Sequence, residues 1–147
     1  MKKLALFSVI ILMLAALLSS CGGGEEIEYV KSQSAVLSYA REDNKVALHS
    51  LITLKNNAKR DVEFTLTGKF PELYAAGVVL YEDVSVTDKK GFADKLTIPA
   101  NSTVCLECVF RTTYGGGELA VGENGFFAPP DSIEFEIIPE DTYGVED

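Results

Sequence analysis

The chain has 147 residues, with 13 Lys or Arg against 22 Asp or Glu and a net charge of −9 at pH 7. Phosphate binding needs a basic face, so this balance argues against a nucleic-acid partner. The length suits one domain with a real core and is too short for two comfortable ones.

The first element is a leader. Lys2 and Lys3 supply its charge, Leu4 to Leu18 an apolar run, and Ser19 and Ser20 the small residues before Cys21. This is the three-part plan of a secretory signal. As a helix at ~1.5 Å per residue the run spans only ~22 Å, short of the ~30 Å hydrocarbon core, so a stable membrane span is disfavoured.

Leu18-Ser19-Ser20-Cys21 resembles a lipobox, the site where a bacterial signal peptidase cleaves before a lipid-modified cysteine. The resemblance to bacterial lipoprotein signals covers residues 1–21. It implies removal of the signal peptide at 1–20, lipid attachment at Cys21, and a location on the outer side of a cell membrane or outer membrane. One acyl chain holds a protein only marginally, at ~0.8 kcal/mol per buried CH₂, whereas two or three hold it durably. Loss of the leader removes two basic residues and no acids, leaving a net charge of about −11. That charge repels anionic headgroups, so the acyl group is the expected membrane contact.

Residues 21–26 then form a flexible tether, its Gly22-Gly23-Gly24-Glu25-Glu26 run being costly to order and well solvated. From Ile27 the pattern has period two. Short runs at Ile27–Val30 and Ala35–Ala40 precede a polar turn at Arg41–Lys45. Val46, Leu48, Ser50, Ile52 and Leu54 next fall on one face of a strand, opposite Ala47, His49, Leu51, Thr53 and Lys55. Asn56–Asp61 is a turn, after which Val62, Phe64 and Leu66 face inward. Two alternating runs separated by a short polar turn predict a hairpin that pairs Ile52 and Leu54 with Phe64 and Leu66 across one sheet.

Phe70–Gly77 predicts one or two helical turns, with Pro71 in the first turn and Gly77 at the stop. Val78–Val86 returns to strand character, and Thr87–Gly91 is a turn. Leu96 and Ile98 make a brief strand, and Val104, Leu106, Cys108 and Phe110 make a longer one. Residues 112–131 form the longest irregular stretch, with Gly115-Gly116-Gly117, Tyr114, Phe126 and Phe127. Ile133, Phe135 and Ile137 alternate in a last strand, and residues 139–147 are an acidic tail.

Many short strands with at most one helical turn predict an all-β antiparallel sandwich over residues 27–138, with a closed barrel as the alternative. Leu54-Lys55-Asn56-Asn57, Ile98–Thr103 and the Val104-x-Leu-x-Cys-x-Phe110 strand are similar in order to the features of small immunoglobulin-like lipoproteins, known mainly as domains of unknown function. That resemblance spans Tyr29 to Ile138 and implies an immunoglobulin-like sandwich. No tryptophan is present to pack on an inter-sheet disulfide, as in antibody domains.

Residues able to carry chemistry are few. Cys105 and Cys108 have redox or half-zinc spacing, but their flanks are strand-like and a closed zinc site needs four ligands. Structural thiols are expected, with Cys108 in the core and Cys105 on the other face. His49 is the sole histidine and falls on an outward face, so no catalytic pair is expected. Glu134, Glu136, Glu140 and Asp141 read as a solvated acidic face and not a calcium loop. Asn101-Ser102-Thr103 reads as a turn and Gly115-Gly116-Gly117 as no phosphate loop. No cofactor or metal is expected.

The pattern therefore points to a non-enzymatic binding module with a protein partner, its candidate binding loop carrying Tyr114, Phe126 and Phe127. Phe126-Phe127 is either a recognition tip or a plug for the core. The alternative function is a protease-inhibitor-like domain presenting the 112–131 loop, since immunoglobulin-like sandwiches include such inhibitors. On the lipobox reading, Cys21→Ala leaves the protein soluble or as unprocessed precursor. Fractionation and migration identical to wild type would contradict that assignment.

Overall fold

β3 (Lys45–Asn56) is the longest described strand, and its inward side chains explain its central place. Val46, Leu48, Ile52 and Leu54 are fully buried, as an apolar alternation on a sheet face requires. The computed structural model describes residues 26–118 and 127–139. Cys21, Phe126, the tether's first residues and most of the acidic tail lie outside these.

β7 (Thr103–Thr113) pairs antiparallel with Lys45–Lys55 along one edge of β3. The other edge is shared by β1 (Ile27–Tyr29) and β2 (Ala35–Glu42), separated by a 3-10 turn at Lys31–Gln33. The turn is fastened outside β3, where the Thr53 hydroxyl donates to the Gln33 carbonyl at 2.7 Å.

The second sheet is built on β4 (Val62–Lys69). β8 (Ser132–Ile137) covers one edge, and β5 (Asp83–Ser85) and β6 (Leu96–Ile98) divide the other. Phe64 and Leu66 of β4 share a single core cluster with Leu48, Ile52 and Leu54 of β3 and Phe110 of β7. The architecture is an antiparallel β-sandwich.

Its two sides are stitched. Val86 donates to Leu66 of the second sheet and Thr87 to Val109 of the first. On the opposite side, Phe127 donates to Val36 at 3.0 Å just before the chain enters β8.

The expected β3–β4 hairpin does not form. β3 and β4 lie in different sheets, so their apolar faces oppose one another across the core instead of lying side by side. Asn56 supplies the physical reason. Its side chain is buried, and its Nδ2 donates to the carbonyls of Arg60 (2.9 Å), Ile98 (3.1 Å) and Pro99 (3.1 Å), two protons shared among three acceptors. Its Oδ1 accepts from the Ala58 amide at 2.9 Å. Residues 57–61 are thereby held as an arch between sheets and cannot close a ladder.

Two further expectations need correction. Val78–Val86 is not one strand: the amides of Val78 and Val79 both bond Leu73, and both side chains are buried, which alternation does not allow. A strand forms only at Asp83–Ser85, with isolated bridges at Val79 and Val86. The irregular stretch starts at Tyr114 and not at residue 112, because β7 runs to Thr113 against Lys45.

The arch defines two poles. One carries residues 57–61, Ile27, which pairs with Asn56, and Thr103, which pairs with Lys55. The other carries the Asp43–Asn44 turn, helix α1 (Pro71–Ala75), and Tyr114, whose amide bonds Asn44. The 11 residues of β7 connect them, a separation of roughly 35 Å at ~3.3 Å per residue.

Phe64 is fully buried and packs edge-on against Phe135 at 5.5 Å, so Phe64→Ala is expected to cost ~3–5 kcal/mol. Thr65→Ala, on the outer face, should cost far less. Denaturant unfolding of the two variants checks this; equal losses would mean the faces are inverted.

Candidate functional site

Beside α1, a cavity of about 180 Å³ opens between the helix and residues 128–131. Local sequence builds each wall. Pro71 fixes the first turn of α1, and Gly77 at φ +73° ends it. The Phe70 amide donates to Glu82 at 2.8 Å, anchoring the helix start. Phe70 and Leu73 are nearly fully buried and give the cavity an apolar floor.

The opposite wall is held from three directions. The Tyr29 hydroxyl donates to the Pro130 carbonyl at 2.8 Å, the Asp131 amide donates to Lys69 at 2.8 Å, and Lys31 Nζ meets Asp131 Oδ1 at 2.6 Å. Chiefly through burial, the Tyr29 hydroxyl pKa is pushed up to about 12, so it remains a donor across the ordinary pH range. Lys31, through its hydrogen bond and its charge, holds the Asp131 carboxyl below the usual carboxylate range. Both partners of this rim pair are largely exposed, so it marks the cavity mouth more than it stabilises the fold.

The glycine run serves the pole of α1 as packing. A Cβ on Gly115 would collide with the Gly77 carbonyl, and one on Gly117 with the Ala76 carbonyl. Backbone therefore lies directly on backbone behind α1, with the Gly117 amide donating to Gly77 at 2.9 Å. Only glycine permits that approach.

Of the loop residues singled out from sequence, Tyr114 and Phe127 are both committed internally. Tyr114 donates its hydroxyl to Gly117 at 2.8 Å and carries the Arg41 guanidinium 4.1 Å above its ring. Phe127 is 9% exposed and packs edge-on against Tyr39 at 5.6 Å. Of tip and plug, Phe127 is placed as plug; Phe126 lies outside the described residues. Neither Tyr114 nor Phe127 lines the cavity, whose rim belongs to Lys31, Glu72 and Asp131.

Sequence reading missed that rim because Lys31 and Asp131 stand 100 positions apart and no local pattern joins them. The helix-start signal at Pro71 was the one available pointer to the cavity.

His49 is exposed on β3, away from this cavity, and the lining residues include no Ser, Cys or His. No cluster of three or more His, Cys, Asp or Glu suited to a metal occurs among the described residues, and no described helix is long and apolar enough to cross a membrane. Cys105 is exposed and Cys108 buried, and they are not bonded to each other. No protein-family model matches the chain, and no curated protein or solved structure matches it either.

Burial, reinforced by Asp94 and then Cys105, pushes the Cys108 thiol pKa up to about 12. Only the thiolate is strongly nucleophilic. In the native protein a maleimide should therefore modify Cys105 readily and Cys108 only after unfolding, as peptide mass mapping would reveal. Comparable labelling of both would contradict the facing assigned to β7.

Proposed function

We propose that the chain is an exported lipoprotein, held to a bacterial cell membrane or outer membrane by lipid on Cys21, whose sandwich is a non-enzymatic binding module for a protein partner. The cavity beside α1 carries this reading. It is large enough for one aromatic ring, since an apolar cavity of about 150 Å³ accepts benzene. The apolar floor of Phe70 and Leu73 suits such a ring, and the Lys31–Asp131 rim suits the polar backbone around it. A lining without Ser, Cys or His supports binding over catalysis.

The sheet membership also supports the likeness to immunoglobulin-like domains: β2, β3 and β7 share one sheet as strands A, B and E do, and β4 and β8 share the other as C and F do. The protease-inhibitor alternative needs a protruding loop within residues 112–131, and no specific observation favours it.

Titration of the full chain with N-acetyl-tryptophan amide, followed through backbone amide shifts, tests the cavity. Shifts should concentrate at Leu73, Ala76 and Ala128, and Ala128→Trp, which places an indole at the mouth, should abolish them. Shifts scattered over the surface, or unchanged by Ala128→Trp, would sink the proposal.

A further inference from the structure

β8 carries a second surface, independent of the cavity. Its register with β4 is regular from Ser132↔Lys69 to Ile137↔Phe64, and the Ile138 amide donates to Glu63 at 2.8 Å. In an antiparallel ladder hydrogen-bonded pairs alternate. Ser132, Glu134 and Glu136 therefore direct their backbone groups to β4. Those of Ile133, Phe135 and Ile137 point to the outer edge, where no described strand pairs them.

The same three residues turn their side chains towards the core. Ile133 and Phe135 are half-buried against it, and Ile137 is 38% exposed. Between them and Ile27 of β1 runs an open groove of about 520 Å³. An unpaired backbone edge thus borders a trench with an apolar floor of Ile27, Ile133, Phe135 and Ile137 and with Glu26 and Glu134 on its lining, the two elements that strand addition requires.

Charge selects the occupant. Glu134 and Glu136 stand exposed on the solvent face of β8, opposite Thr67 and Thr65, with no ion pair among the described residues. Glu28 is exposed on the neighbouring edge of β1. A second copy added through its own β8 would set these carboxylates against themselves. The chain's own residues 140–147 hold Glu140, Asp141, Glu146 and Asp147 and no basic residue. Like charges across a strand pair are destabilising and opposite charges favourable. We infer that the β8 edge accepts an extended segment of a partner protein in which apolar residues, seated in the groove, alternate with Lys or Arg facing Glu134 and Glu136.

The test uses the full chain, with the peptide Lys-Val-Lys-Val-Lys-Val-Lys as probe. At saturation, amide hydrogen exchange at Ile133, Phe135 and Ile137 should slow by about tenfold or more, because the bound edge is protected in proportion to occupancy. Exchange at Glu134 and Glu136, already bonded to β4, should change little. Glu134→Lys combined with Glu136→Lys, a surface exchange that leaves the core intact, should weaken binding by about tenfold. Three results would each overturn the inference. Equal binding of the block-ordered Lys-Lys-Lys-Lys-Val-Val-Val would mean charge attraction alone. Protection present without peptide and lost on deleting residues 140–147 would assign the edge to the chain's own tail. Protection that rises with protein concentration would assign it to a second copy.

Discussion

The arrangement of this domain depends on one buried amide. Asn56 ends β3 with its side chain enclosed, and through it the arch, β6 and the turn before β7 are tied to the first sheet. Its backbone amide adds a bond to Ser102 at 2.8 Å. A buried amide with its partners missing is strongly unfavourable, so the chain that satisfies Asn56 must carry residues 57–61 across the core. Once it does, β3 and β4 become opposed layers, and the other strands have two separate templates on which to pair.

From that crossing follows the division of labour between the poles. The arch and Ile27 occupy one end, α1 the other, and the long β7 strand spans the interval. The far pole is stiffened by means that leave its surface free. Gly115 and Gly117 pack their backbone on the end of α1, Tyr114 is spent on Gly117 and Arg41, and Phe127 closes the core beside Tyr39. A cavity with such backing is pre-formed, so the proposed binding would need less ordering.

The sandwich class was legible because the large apolar side chains of the two central strands recur with period two. Val46, Leu48, Ile52 and Leu54 in β3, and Val62, Phe64 and Leu66 in β4, all face the core as the alternation requires. The α1 turn was legible from Pro71 and Gly77. Pairing was not, because a polar turn after Asn56 reads alike whether it closes a hairpin or crosses between sheets; the difference lies in contacts to Ile98 and Pro99, about 40 residues away. The cavity was hidden for the same reason, its walls coming from the Lys31 turn, α1 and residues 128–131. Nor could Gly115 and Gly117 be told from a flexible linker, since their partner backbone at Ala76 and Gly77 is equally distant in sequence.

The arch is the claim on which the rest turns, and a map of nuclear Overhauser contacts between backbone protons in the isotopically labelled full chain reads it directly. Cross-strand Hα contacts should join β3 to β7 and β4 to β8, with none joining β3 to β4. A continuous ladder linking residues 51–56 to residues 62–67 would show a hairpin in place of the arch and contradict the account.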